Sequence, residues 1–180
     1  MNKIYLTGFM ASGKSIYGRE LANLMSLKFI DLDNIIEEQE NNSISDIFKN
    51  KGIDYFRDAE HKALLSTENE KNTVIATGGG TPVYFNHIRF MQETGFIVFL
   101  NTPLDIIFDR VENRNEKRPL LENYKGEMLK IFIAQLYKTR IEFYRQADLV
   151  INPMHITPAE LVEYLKKKEL RGDEFLSGEI

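Results

Sequence analysis

Gly8-Phe9-Met10-Ala11-Ser12-Gly13-Lys14-Ser15 decides the fold. Glycine, four residues, then Gly-Lys-Ser is the phosphate-binding loop pattern, and here it lies between an apolar run, Ile4 to Met10 broken by Thr7 and Gly8, and an amphipathic stretch. The run is too short for a signal-peptide core or a membrane span, so it is read as a buried first strand. Glycines let the chain curl until successive backbone N–H groups face one anion-sized cavity, and the following helix adds its positive end. Lys14 reaches the outer phosphates, and the Ser15 hydroxyl suits a magnesium ion that bridges phosphate oxygens.

Outward from that loop, short β-branched or aromatic runs alternate with amphipathic stretches, the rhythm of an α/β domain around a parallel sheet. Strands are expected at 3–8, 28–31, 73–76, 96–100 and 149–151. Helices are expected at 14–26, 34–40, 43–49, 55–66, 85–94, 103–111, 126–146 and 158–168. Thr102-Pro103-Leu104-Asp105 and Thr157-Pro158-Ala159-Glu160 each read as a capping threonine, a first-position proline and a first-turn acid. Residues 112–125, with seven charged side chains and little apolar period, read as a flap; residues beyond 170 read as a frayed tail.

A chain of 180 residues suits one domain. With 43% hydrophobic and 28% charged residues it is neither a disordered nor a membrane protein, and a net charge of −4 disfavours a nucleic-acid scaffold. The absence of cysteine excludes disulfides, thiolate zinc and cysteine nucleophiles, and fits a reducing cytoplasm.

Several constellations suggest an acceptor. Asp31 and Asp33, two apart at the end of a strand, are expected to project to the same side, one toward magnesium water and one toward a substrate hydroxyl; alternatively Asp33 only caps the next helix. Thr77-Gly78-Gly79-Gly80-Thr81 removes side chains from the approach to its backbone, or is a plain turn. Arg57, with Glu60 one turn on, and Arg140 can grip an anion bidentately or form solvated ion pairs. Arg110, Arg114, Lys117 and Arg118 surround the flap, whose Arg118-Pro119-Leu120-Leu121 joins a cation to apolar anchors; a closing lid or an ordinary charged loop would both look so. His61, His87 and His155 are scattered without metal-ligand spacing and read as surface or packing residues. Ile131, Ile133, Ala134, Ile141 and Phe143 read as a core stripe.

Taken in order, GFMASGKS, Asp31-Leu32-Asp33, Phe56-Arg57 with Glu60, Thr77-Gly78-Gly79-Gly80, Arg118-Pro119-Leu120-Leu121 and Arg140 with Tyr144 before Ala147-Asp148 make the chain resemble the shikimate kinases, small P-loop enzymes of the nucleoside monophosphate kinase type, over residues 3–165. The resemblance implies a three-layer α/β P-loop fold with a five-stranded parallel sheet of order 2-3-1-4-5, a lid near 112–125 and a substrate-binding helical insertion, all in one domain, 1–170, with a tail at 171–180. It implies magnesium- and ATP-dependent phosphorylation of the 3-hydroxyl of shikimate, in the chorismate route to aromatic amino acids, by a cytoplasmic monomer that needs neither nucleic acid nor membrane. Position by position, Ala11, Ser12, Gly13, Lys14, Ser15 and Ile16 would hold the ATP phosphates, with Ser15 on magnesium and Asp31 supporting it through water. Asp33 would meet ring hydroxyls and act as base, Arg57 and Arg140 would clamp the carboxylate, and the Gly78, Gly79, Gly80 turn would contact substrate. Arg118 would be the lid arginine on the nucleotide, with Arg110 or Arg114 along the adenine. Ala11 stands where many relatives have glycine, and residues 152–157 lack an arginine that some carry. The rival readings are a P-loop kinase of another small molecule, such as gluconate or a nucleoside monophosphate, and a nucleotide-binding module without catalysis.

Overall fold

The computed structural model describes residues 3–113, 119–121, 124–171 and 178–179. Five strands, β1 (Lys3–Thr7), β2 (Lys28–Asp31), β3 (Thr73–Ala76), β4 (Phe96–Leu100) and β5 (Leu149–Ile151), lie parallel in the order 2-3-1-4-5. A sixth, β6 (Gly178–Glu179), extends the edge by pairing parallel with Leu149 and Val150, so the stretch expected to fray contributes a strand. At the centre, β1 pairs Tyr5 with both Ile75 and Ile97.

Strand side chains alternate between two covered faces, which is why these strands read as unbroken apolar runs. Ile4, Leu6, Val74, Val98 and Leu100 pack under α1 (Lys14–Met25) and α7 (Pro158–Arg171) through Leu21, Ala22, Leu161 and Leu165. Tyr5, Ile75, Ile97 and Phe99 pack on the opposite face against Leu64, Met91, Ile107, Ile133 and Tyr144. Those residues come from α3 (Ile44–Leu65), α4 (His87–Thr94), α5 (Leu104–Glu112) and α6 (Gly126–Tyr144). With α2 (Leu32–Glu40) leading into α3, this completes three layers.

Some local expectations are corrected. The helices expected at 43–49 and 55–66 form α3, kinked where Gly52 takes φ 82°. Thr102 does not cap α5; Pro103 occupies that position, and the Thr102 hydroxyl instead donates to the Ser12 carbonyl at 2.9 Å, tying the end of β4 to the phosphate-binding loop. Thr157 does form its capping box, exchanging bonds with Glu160 at 2.8 and 3.3 Å. The stripe expected on α6 is only partly core. Ile133 is buried but Ile131 is exposed, and the inward face runs Leu129, Ile133, Arg140, Tyr144.

Candidate active site

The loop after β1 is closed by left-handed residues at Ala11 (φ 58°) and Gly13 (φ 98°). Lys14, buried at the start of α1, donates Nζ to the carbonyls of Gly8 at 3.0 Å and Phe9 at 2.9 Å, which holds the ammonium against the loop it serves. Met10, Ala11, Gly13, Lys14, Ser15, Ile16, Asp31, Asp33, Thr77 and Gly79 enclose a cavity of about 130 Å³. Its size and polar lining suit phosphate groups. Arg110 reaches over the loop from α5, donating Nη1 to the Ala11 carbonyl at 2.9 Å, with Nη2 3.6 Å from Met154 Sδ in the segment after β5. Ser12 is buried inside the loop, whereas Ser15 and Ile16 are exposed at its mouth.

The two aspartates reach the cavity by a different route from the one expected. The strand stops at Asp31, whose Oδ1 accepts from the Asp33 backbone N–H at 3.1 Å and so caps α2. Asp33 stands in the first helical turn, so strand pleating does not align the pair, and Asp31 takes the capping task considered for Asp33. Burial among protein groups first, then the charges of Asp31, Glu60 and Glu37, push the Asp33 carboxyl up to about 6 against the pull of Lys14. The side chain nonetheless opens to the cleft, so water there tempers that desolvation.

A second cavity, about 420 Å³, adjoins the first and is lined by side chains of α2, α3 and α6 and the triple-glycine turn. Met10, Asp33 and Gly79 line both, so Asp33 sits where the chambers meet. Phe48 and Phe56, whose ring centres lie 4.5 Å apart, and Leu120 supply apolar wall. Arg57 is buried beside Glu60, with Nη1 2.6 Å from Oε2, and its guanidinium lies 4.4 Å from the Tyr84 ring centre. Arg57 Nε is buried with no hydrogen-bond partner among the described residues. Arg140 donates Nη1 to the Gly79 carbonyl at 3.1 Å, and the Tyr144 hydroxyl donates to the same oxygen. Burial pushes the Tyr144 hydroxyl up to about 12, so it stays a donor.

The glycines prove to be neither a plain flexible turn nor bare donors alone. A Cβ on Gly78 would lie 2.4 Å from Glu60 Oε1, on Gly79 2.9 Å from the Met10 backbone nitrogen, and on Gly80 2.6 Å from Arg57 Nη1. What the glycines admit is the protein's own machinery, packed around the turn. The structure thus brings together Lys14, Ser15, Asp31, Asp33, Arg57, Gly78, Gly79, Gly80 and Arg140, with Arg110 at the loop. Arg114 and Arg118 lie outside the described residues, as does half of the expected lid; Leu120 and Leu121 are described, and Leu121 is buried in the core.

Reading residues one by one passes over Glu37, which lines the larger cavity and accepts from the Ile44 N–H at 2.9 Å, fixing α2 against α3. It also separates His61 from His87, whose rings meet at 2.7 Å. A period count on α6 from Leu129 and Ile133 would have placed Arg140 and Tyr144 on the inward face.

Among the described residues no group of three or more His, Asp or Glu side chains forms a metal cage. Magnesium does not need one, since it keeps waters and takes one or two protein oxygens beside phosphate. Ser15 and Asp31, lining one small polar cavity with Lys14, fit that demand. No helix among the described residues is long and apolar enough to cross a membrane.

Comparison with known proteins agrees with this geometry. The sequence model of the family described as shikimate kinase matches residues 10–169. A shikimate kinase of Sulfurihydrogenibium sp. is 40% identical over 168 residues, 93% of this chain and 98% of that protein. One from Persephonella marina is 40% identical over 162 residues, 90% of this chain and 95% of that protein. Among solved structures, the shikimate kinase of Bacteroides thetaiotaomicron aligns with a TM-score of 0.82 at 33% identity, covering 95% of this chain and 98% of that one. The Acinetobacter baumannii enzyme in complex with shikimate aligns with a TM-score of 0.84 at 31% identity, covering 96% and 95%. With its nucleotide loop, its two joined chambers and relatives matched over nearly their whole length, the chain belongs to the shikimate kinase family.

Proposed function

We propose that this protein transfers the γ-phosphoryl group of ATP to the 3-hydroxyl of shikimate, giving 3-phosphoshikimate and ADP, and that the residues of the two chambers divide the work. The observation that carries the assignment is the position of Asp33, Met10 and Gly79 on the walls of both cavities, so that a phosphate held by the loop and a hydroxyl held in the larger chamber meet at the Asp33 carboxylate.

In this reading Ala11, Ser12, Gly13, Lys14, Ser15 and Ile16 hold the ATP phosphates, and Lys14 offsets the charge that develops as the phosphoryl group moves. Magnesium, held by Ser15 and through water by Asp31, supplies neutralising charge to the phosphate oxygens when bound. Arg57 and Arg140, which both line the larger chamber, bind the shikimate carboxylate there, Arg140 while spending its Nη1 on a neutral carbonyl. The Gly78, Gly79, Gly80 turn shapes the chamber floor, and Phe48 and Phe56 face the ring carbons. Asp33 orients the acceptor hydroxyl and takes its proton, with a carboxyl poised close enough to neutrality to accept it. Arg110 holds the nucleotide loop; the nucleotide role expected of Arg118, and the adenine role expected of Arg110 or Arg114, stay part of this reading, with Arg114 and Arg118 outside the described residues. The chain is read as a cytoplasmic monomer working on small molecules in aromatic amino acid biosynthesis, with no role for nucleic acid or membrane.

Asp33→Asn tests the division of labour. Turnover should fall by about two to four orders of magnitude while ATP affinity stays within about twofold. Wild-type turnover would remove Asp33 as the base.

A further inference from the structure

His61 and His87 are brought together by α3 and α4 behind the substrate chamber. His87 is buried, and its Nδ1 lies 2.8 Å from the Thr81 carbonyl. A carbonyl can only accept, so Nδ1 carries hydrogen and, in the neutral ring, Nε2 is the acceptor. The His61 Nδ1, 2.7 Å away, is then the donor, which fixes the tautomer of that ring as well. Thr81 passes the contact on: its hydroxyl donates to Glu60 Oε1 at 2.6 Å, and Glu60 Oε2 holds Arg57 Nη1 at 2.6 Å. An unbroken chain of bonds thus runs from His61 to Arg57.

The backbone gives a second, independent sign. Phe85 (φ 50°) and Asn86 (φ 56°), both left-handed without being glycine, immediately precede His87. Asparagine takes this conformation readily, but a bulky residue such as Phe85 holds it only where surrounding contacts enforce it. Here Phe85 stacks on His61 at 4.7 Å between ring centres, so the strained turn delivers His87 to Thr81 and clamps His61 against it.

We propose that His87, held in one tautomer by His61, is a positioning residue that fixes Thr81 and through it Glu60 and Arg57 for the acceptor carboxylate. This inference rests on Arg57 being a carboxylate-binding arginine. The charged and titratable groups that bear on His87 are Glu60, His61 and Arg57, all on α3. Burial is the largest influence and keeps His87 below the ordinary histidine range; the Thr81 carbonyl and Glu60 oppose it, and His61 and Arg57 add to it. The neutral ring keeps Nε2 as the acceptor for the His61 Nδ1–H.

The test measures the KM for shikimate, the KM for ATP and kcat for His87→Leu, His87→Asn, His61→Phe and Arg57→Lys. His87→Leu should raise the shikimate KM by about tenfold, with the ATP KM and kcat within about twofold, the scale of one buried hydrogen bond lost at a distance. His87→Asn keeps a donor at the Nδ1 position, so its shikimate KM should stay within about threefold of wild type. An unchanged shikimate KM in His87→Leu, an equal rise in both KM values, or an asparagine variant no better than leucine would overturn the proposal. Should the leucine variant fail to fold, His61→Phe decides: a raised shikimate KM supports the relay, and a wild-type value overturns it. Arg57→Lys separates the two readings. If it leaves the shikimate KM unchanged, the Arg57 assignment fails and the relay with it; if it raises that KM while His87→Leu is silent, the relay alone fails.

Discussion

Arg140 and Gly79 are joined by a hydrogen bond of 3.1 Å from Nη1 to the carbonyl oxygen, 61 residues apart in the chain. That bond lets one side chain serve two tasks, because a guanidinium can hold the turn with one nitrogen and present others to an anion. Lysine has a single ammonium and no fork. Arg140→Lys should raise the shikimate KM about tenfold or more, leaving the ATP KM within about threefold. Titration with shikimate checks this, and unchanged affinity would remove Arg140 from the carboxylate clamp.

Asp33 links activity to stability. Its carboxyl is raised to about 6, so kcat should fall as pH drops through that value and the base becomes protonated. The sign for stability is opposite to that of an ordinary paired carboxylate. Between the usual aspartate value and about 6 the folded state binds the proton more tightly than the unfolded chain, so ionised Asp33 costs stability above about 6 and the cost disappears in acid. Asp33→Asn should therefore raise Tm at neutral pH while turnover collapses, with the gain shrinking as pH is lowered. Thermal melts at several pH values check it; a lower Tm at neutral pH would contradict the crowding of acids around this carboxylate.

The neighbouring glycines should fail differently. A methyl on Gly80 meets Arg57 Nη1, the movable end of a side chain, whereas a methyl on Gly79 meets the backbone nitrogen of Met10 in the nucleotide loop. Gly80→Ala should chiefly raise the shikimate KM. Gly79→Ala should raise the ATP KM as well and lower Tm. Steady-state kinetics with each substrate varied in turn would show whether the two defects separate in this way.

Ala11 holds a left-handed conformation at φ 58° that glycine adopts without cost. Ala11→Gly should therefore stabilise the folded chain by up to about 1 kcal/mol, partly offset by the greater freedom of glycine in the unfolded chain. Denaturant unfolding measures it, and a destabilised variant would show that the Ala11 methyl makes contacts that outweigh the backbone strain.

Local chemistry was readable where one residue's requirement did not depend on distant partners. The loop from Gly8 to Ser15, four of the five expected strand spans and the Thr157–Glu160 box follow from short-range pattern and are found as expected. The first strand ends one residue short of the expected span, at Thr7. What could not be read depends on tertiary contact. Thr102 looks like a cap, yet its hydroxyl goes to Ser12, a partner 90 residues away. Asp31 and Asp33 look like neighbours on a pleated strand, but Asp31 ends the strand by capping the helix that carries Asp33. Arg57 and Arg140 look like any helix arginine until the fold buries one beside Glu60 and the other beneath the triple-glycine turn. His61 and His87 look unrelated in sequence because only the folded chain brings them together.

The most direct test of the central claim is magnesium-dependent ADP release from ATP with shikimate, gluconate and nucleoside monophosphates supplied in parallel, with Lys14→Ala as the blank. The two-chamber account predicts turnover with shikimate alone, abolished in the blank. Turnover with gluconate or a nucleotide in place of shikimate, or ATP binding without turnover on any acceptor, would contradict it.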